Sequence, residues 1–592
     1  MRHARIAFAL LVLVTGGAFF VTQRLKQSPR LVRTLTVTRE FSPAIAFRRA
    51  SIRIRLERTD DATVAVIDTG GDVVRRLLRS RRLASDRRVQ LLWDGRDEEG
   101  RIVPDGEYRV RINLRRRGRA VVLLNTIRVD ATPPHPVVRV RKPKETAGPL
   151  LHPQRPSAPV RFAVTGTRPQ TERLFLYRTD GPRPRFVTRL PARRPGADGV
   201  WDGRAGGRLV APGPYAVVAR DTDRAGNAAS SYPFTRSREN DPPGGAGVTV
   251  RYLATQPPQG PVTAGRLFTV FVDARGRAYR WRLRRLGQRR LIARGTGRQP
   301  ALRLTAPRGP SGIYLVELIA GAQRAAAPVA VQGPGRHRVL VVLPLLSWQG
   351  HNRVDDDGDG MPDSLEPPGR GRARLARPLA GGGMPGGFAL HEQPLLELLD
   401  RPQQRYDITT DVALAGPGGR REVERHRGIV LAGNPRWVTP QLASRLRVHV
   451  TRGGRVLSLG TDSLRRTVAL REGVLSRPSP PDQSDVFGVT LAPIERRRVD
   501  LLNADDAIGL FRGGDGFFNE FGGFEATLAF GDGRPVAAAV VQGSATADPV
   551  IVAIRLGSGL VIRTGLPEWG RRMRGNPNVQ ALTRRSWELL SR

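Results

Sequence analysis

Trp93-Asp94-Gly95, with Pro104-Asp105-Gly106-Glu107-Tyr108 beginning eleven residues after the Trp, returns 108 positions later as Trp201-Asp202-Gly203, with Pro212-Gly213-Pro214-Tyr215 at the same spacing. Asp-Gly and Pro-Asp-Gly favour tight turns, and a Trp between them can anchor where two sheets face each other. Around the first copy, Ser51–Leu56 alternates Ile52, Ile54 and Leu56 against Ser51, Arg53 and Arg55, the period of a half-buried strand. Ala62–Ile67 is apolar on nearly both faces and belongs deeper in a sheet. Asp60-Asp61 and Gly70-Gly71 punctuate these runs as turns.

A repeat near 100 residues suits a β-sandwich module. The two copies, with Phe41-Ser42-Pro43 near the start of the first, resemble the immunoglobulin-like (FlgD-like) domain of flagellar hook-capping and bacterial surface proteins. That resemblance implies a spacer or adhesive fold rather than chemistry. Trp93 and Trp201 then read as core residues, the alternative being carbohydrate platforms. Residues 31–134 and 137–235 form the two modules, and 247–332, with Leu267–Val272 and Gly312–Leu318, reads as a third β-sandwich. Asp130–Pro136 and Arg236–Ala246 are linkers.

From 336 to 592 the pattern changes. Val339–Leu343 and Gly428–Ala432 are continuous apolar runs, Pro394–Asp400 reads as a helix, and Tyr406–Val412 as a strand. Thr439 caps a helical stretch through Val450, and Gly454–Leu459 follows as a strand. The alternation predicts a parallel, doubly wound α/β sheet with ligands at the carboxyl ends of its strands. Ser347, Trp348, Asn434, Trp437, Thr461 and Asp462 are the candidate liners, against the plainer reading of loop residues. The stretch Ser347–Asn352 (SWQGHN), the closing Gly557–Gly570 (GSGLVIRTGLPEWG) and Thr583–Trp587 resemble the C-terminal domain of the N,N-dimethylformamidase β-subunit family, a relative of class I glutamine amidotransferases. The resemblance implies an α/β flavodoxin-like, amidotransferase-like domain. Amidotransferases need a Cys nucleophile and this chain has no cysteine; Gly433-Asn434-Pro435 follows the Gly428 strand instead. The formamidases hold an iron with tyrosines and a carboxylate, and His351 stands where their motif has a Tyr.

Asp355–Glu366 (DDDGDGMPDSLE) satisfies D-x-[DN]-x-[DN]-G-x₅-E, a calcium-loop pattern. Asp355, Asp357 and Asp359 supply carboxylates at positions 1, 3 and 5, Met361 a carbonyl, Asp363 a direct or water-borne contact, and Glu366 a bidentate close. The flanks are not amphipathic helices, so the loop resembles those of bacterial thrombospondin-type-3-like repeats, and a structural Ca²⁺ is expected; the plainer reading is a solvated acidic turn. Pro367–Gly387 is rich in Gly and Pro and reads as a lid or disordered insertion. Asp515, Asn519, Glu520 and Glu525 are acid–base or metal candidates, or else solvated loop groups.

The chain has 592 residues, a prior of about four domains. The absence of Cys excludes disulfides, thiolate metal sites and Cys nucleophiles. Of 98 basic residues only Lys26, Lys142 and Lys144 are lysines, and the net charge of +45 is interleaved along strands rather than striped. With 6% aromatic residues this argues against a specific nucleic-acid partner and for a generic basic surface, with an anionic cell-surface polymer as a partner. Arg2 and Arg5 precede the apolar run Ile6–Val21, so residues 1–30 read as a signal anchor or cleaved signal peptide. Arg24, Lys26, Arg30 and Arg33 argue for a cytoplasmic body; the modules argue for export. The resulting expectation is an exported protein, anchored to the cell membrane by its N-terminal segment or secreted. Its sandwiches present a non-catalytic, calcium-stabilised α/β binding domain. The alternative is a metal-dependent amide hydrolase using His351, Glu520 or Glu525.

Overall fold

The computed structural model describes residues 11–12, 14–18, 31–141, 150–151, 159–166, 171–191, 198–232, 246–401, 404–512, 516–541 and 546–592. The repeat is structural down to single hydrogen bonds. Trp93 and Trp201 are buried, and their indole N–H groups donate to the carbonyls of Arg96 at 3.0 Å and Arg204 at 2.9 Å. Asp94 and Asp202 accept from the N–H two residues on, closing matching Asx turns over Gly95 and Gly203, both at positive φ. Tyr108 and Tyr215 pack on the two indoles at 5.2 and 5.3 Å, and each hydroxyl donates to the carbonyl four residues upstream at 2.8 Å. Both Trp residues are therefore core anchors, and neither ring is a platform for a sugar. Because Tyr108→Phe removes only one bond at the edge of a packed ring, urea unfolding of that module should show a loss of about 1 kcal/mol.

In the first module the sheet Val32–Val37, Ala50–Leu56, Val89–Trp93 faces a second sheet built on Asp60–Ile67 and Gly106–Leu114, with the core between them. Ile52, Ile54 and Leu56 alternate inward as the sequence pattern requires. In the second module Gly213–Thr222 is the central strand, paired with Thr171–Arg178 and with Gly247–Val250. The last of these comes from beyond the 236–246 linker, of which 236–245 lie outside the described residues. The third module packs Leu267–Asp273 and its neighbours against Tyr279–Arg285, Gly312–Ala320 and Gln323–Gln332.

The C-terminal region corrects the expected fold class. The chain is mostly β, 43% strand and 12% helix, and no α/β flavodoxin-like domain is evident among the described residues. Its nine-stranded sheet is mixed. Asp407–Thr410, Val339–Leu343, Gly428–Leu431, Arg455–Ser458 and Gly559–Thr564 run parallel, after which Ala547–Leu556, Arg534–Val541, Val499–Asn503 and Phe517–Phe521 continue it antiparallel. The alternation that predicted a doubly wound sheet holds only through Ser458. Beyond it the chain forms long antiparallel strands such as Arg534–Val541 and Ala547–Leu556, whose Val/Ala/Ile runs read the same as parallel strands when buried on both faces. Tyr406–Val412 also splits: Thr410 accepts from Ala413 N–H, and a short helix starts at Asp411. The helix Pro440–Thr451 begins as predicted, with Thr439 Oγ1 accepting from Leu442 N–H at 3.3 Å.

Pro367–Gly387 is not a loose insertion. Arg372–Arg374 pairs with Val474–Ser476, and Ala373, Leu375, Arg377 and Leu379 are buried. No helix among the described residues is long and apolar enough to cross a membrane. The membrane anchor and the cell-membrane location drawn from it are accordingly withdrawn; most of Ile6–Val21 lies outside the described residues.

Candidate metal loop and the strand-end crevice

The acidic loop is tied down at both ends and along one side. Gly247 N–H donates to the Gly358 carbonyl at 3.0 Å and Thr249 Oγ1 to the Asp355 carbonyl at 2.9 Å, so the loop lies along a strand of the second module. Met361 packs against that module's core, and Arg353 donates to the Asp180 carbonyl. Within the loop, Asp355 accepts from Gly358 and Gly360 N–H at 2.6 and 3.0 Å.

Carboxylate oxygens of Asp355, Asp357 and Asp363 lie within 4.8 Å of one another; Asp355 and Asp363 are buried and Asp357 is exposed. Burial, joined by the charges of Asp359, Asp357 and Asp363, drives the Asp355 carboxyl well above the usual carboxylate range. Burial and Asp357 likewise push Asp363 up to about 7. Three converging carboxylate oxygens, none of them ion-paired with an arginine, are part of the six to eight oxygen donors that a Ca²⁺ takes. The other predicted ligands stand elsewhere. Asp359 pairs with Arg370 at 2.7 Å and accepts from Met361 N–H. Glu366 pairs with Arg436 at 2.5 Å and His351 at 3.5 Å. The residues present fit a Ca²⁺ through Asp355, Asp357 and Asp363. Asp359 and Glu366 join only by leaving their arginines.

The carboxyl ends of the parallel strands bring some predicted liners together. Asn434 and Thr461 line a void of about 10 Å³ with His391, Gly433 and Gly460, room for one water and no substrate. Ser347 Oγ is occupied by Arg436 N–H at 2.8 Å, and Trp437 is buried with the His351 ring 4.6 Å away. Asp462 does not face this void: it pairs with Arg466 at 2.8 Å and Arg436 at 3.1 Å. Trp348 Nε1 donates to Glu392 Oε1 at 3.3 Å. Glu392 was missed by sequence reasoning. It opens the helix Glu392–Asp400, is 3% exposed, and burial pushes its carboxyl up to about 7. Gly433, at φ +66°, faces it so closely that a Cβ would stand 2.0 Å from Glu392 Oε1. An acidic residue in the first turn of a helix, two positions before Pro394, carries no sequence mark of burial.

Glu525 is fully buried, but its carboxylate receives Asp462 N–H and Arg563 Nη2 at 2.5 Å. Asp515 and the side chains of Asn519 and Glu520 lie outside the described residues. A second cluster, Asp407 with His426 and His337, is closed on itself by bonds of 2.9 and 2.6 Å, with Gln332 also donating.

Residues 298–486 match the family model described as N,N-dimethylformamidase beta subunit-like, C-terminal. The match takes in the last strands of the third module, the acidic loop and the first half of the large sheet. No curated protein sequence matches the chain. Among solved structures the chain is similar to β-galactosidase from Bacillus circulans sp. alkalophilus, at 12% identity over 43% of this chain and 31% of that one, TM-score 0.28. It is also similar to exo-β-1,4-mannosidase Op5Man5 from Opitutaceae bacterium strain TAV5, at 13% identity over 33% and 29%, TM-score 0.21. The four N-terminal Ig domains of Dscam1 isoform 4.4 align at 14% identity over 52% and 74%, TM-score 0.13. The chain spans about a third of the length of the two enzymes, and scores this low carry no inference. The family match leaves out residues 31–297, so the immunoglobulin-like and FlgD-like description of the first two modules is not supported and is withdrawn.

Proposed function

We propose that the protein is a modular, non-catalytic binding protein whose loop 355–366 takes up one Ca²⁺ and fastens the C-terminal region to the second module. The convergence of Asp355, Asp357 and Asp363, two of them buried, carries this reading. A bound cation offsets the repulsion among these carboxylates, and the loop they stiffen is the one that hydrogen-bonds Gly247 and Thr249. With only three carboxylates free of an arginine, affinity belongs to the weak class, about 0.1–1 mM. Ion uptake at 10 mM then stabilises by about 1.4–2.7 kcal/mol.

The test is calorimetric titration together with urea unfolding, with and without Ca²⁺. Asp357→Asn removes an exposed ligand and one repelling charge. Its ion-free stability should equal or exceed that of the natural chain, while its response to Ca²⁺ vanishes. A natural chain that takes up no heat on titration, or unfolds identically with and without the ion, overturns the reading.

The family match favours a second reading, an amide hydrolase with its own metal. Against it, Glu525 is held by Arg563 and His351 sits between Trp437 and Glu366. Metal analysis of the purified chain tests it, since iron or zinc retained through purification supports the hydrolase, whereas a clamp of about 0.1–1 mM affinity is loaded only when Ca²⁺ is added back.

A further inference from the structure

A cavity of about 710 Å³ opens between the helices Gly419–Glu424 and Pro440–Thr451, away from both the acidic loop and the strand-end void. Arg420, Arg425, Arg427, Arg445 and Arg452 line it with one lining carboxylate, Glu424, and Arg425 pairs with a second, Glu422, at 3.2 Å. Glu424 is shared by Arg420 at 2.9 Å and Arg452 at 3.5 Å, and among the described residues no carboxylate pairs with Arg427. Arg445 donates to the carbonyls of Leu414 and Gly416. The floor is built rather than merely charged. Val423, His426, His449 and Gly454 are buried there. His426 is held on both ring nitrogens, by the Glu422 carbonyl and by Asp407. His449, 7% exposed, has an Nε2 with no hydrogen-bond partner. A Cβ on Gly454 would stand 2.2 Å from that nitrogen, so the glycine makes the room the ring occupies.

We propose that this cavity binds a compact, multiply charged oxyanion, a ligand carrying phosphate or carboxylate groups and no aromatic ring. Guanidinium forks match both oxyanions bidentately, and five of them around one pocket recognise several such groups at once. No Trp, Tyr or Phe lines the walls, so the cavity offers a nucleobase no indole, phenol or phenyl face. The volume suits a small molecule rather than a polymer segment. This site is independent of the calcium reading and stands or falls separately.

Because the whole chain carries +45, surface adsorption is the rival, and the test is built to expose it. The full chain is titrated calorimetrically at about 150 mM salt, where exposed charges are screened beyond ~8 Å. One arm uses inorganic tripolyphosphate and the other citrate. Saturable one-to-one binding in either arm is expected, and the arm that binds names the oxyanion. Arg427→Ala with Arg452→Ala, both exposed at the rim, should weaken binding at least about tenfold, the scale of one lost charge-assisted contact. Arg280→Ala with Arg303→Ala, the same charge change on the third module, should leave it unaltered. Urea midpoints check that both doubles are folded, and Arg427→Glu alone serves as a second rim variant. No saturable binding in either arm, or an equal loss from the third-module pair, overturns the proposal.

Discussion

Arg563→Met is expected to lower stability by about 3–5 kcal/mol, among the largest single losses the fold can suffer without cutting its chain. Arg563 stands in the central strand of the large sheet, Gly559–Thr564, where its parallel half meets the antiparallel half, and is fully buried. Its Nη2 donates to Glu525 at 2.5 Å, and its Nε lies 3.6 Å from Asp485, itself almost fully buried. Asp485 also accepts from Phe487 and Val489 N–H. Removing the guanidinium leaves two carboxylates facing each other in a dry interior, with Arg465 a distant 4.0 Å from Glu525. Burial raises Asp485 above its ordinary range even with Arg563 opposing that shift. A carboxyl raised in the folded state contributes stability that is full below about pH 4 and is lost as pH rises through its folded value. In the variant that loss steepens, because the opposing cation is gone. The gap between natural chain and variant in urea unfolding should therefore widen from pH 5 to pH 8. Adding Glu525→Gln should recover part of it. A gap that stays flat with pH, or no recovery in the double variant, contradicts this account of the cluster.

How much of this was legible beforehand depends on how local the cause is. The two Trp-Asp-Gly modules could be read because Asx turns, positive-φ glycines and alternating strands are set by neighbours in sequence. The Thr439 cap is local in the same sense. The fold class of the C-terminal region failed for the complementary reason: a buried strand reads the same whether its partner is parallel or antiparallel, and partner choice is long-range. The acidic loop divides the same way. Its turn geometry was visible at Asp355–Gly360, whereas Asp359 and Glu366 are claimed by Arg370 and Arg436, eleven and seventy residues downstream. In a chain with nearly twice as many basic as acidic residues, a carboxylate's partner is decided by which arginine the fold delivers. Glu392 and Arg563 carry the point further, since nothing in their neighbours marks them as buried. Pro367–Gly387 shows it from the other side: composition reads as a lid or a disordered insertion, yet one residue in it organises the site.

That residue is Arg377, and Arg377→Ala should cost about 3–5 kcal/mol while abolishing the response to Ca²⁺. Only 3% exposed, its guanidinium donates to the carbonyls of Gln349 at 2.9 Å, Asn352 at 2.8 Å and Asp363 at 2.7 Å, and to Asp356 at 2.7 Å. A further bond runs to Gln349 Oε1 at 3.2 Å. One planar cation thus holds the end of the helix Leu345–Gly350, the entry of the acidic loop and its far side together. It also places a positive charge beside the cluster of Asp355, Asp357 and Asp363 without pairing with any of the three. Deleting it strands three buried carbonyls and a carboxylate, and the spacing between Asp355 and Asp363 is no longer enforced. Arg377→Lys keeps the charge but cannot fork toward three carbonyls at once, so it should recover a minor part of the stability and little of the ion response. Urea unfolding and Ca²⁺ calorimetry on the natural chain and both variants decide it. If Arg377→Ala lost stability yet bound Ca²⁺ with unchanged affinity, the loop would be organised by its contacts to Gly247 and Thr249 instead, and Arg377 would be a packing residue alone.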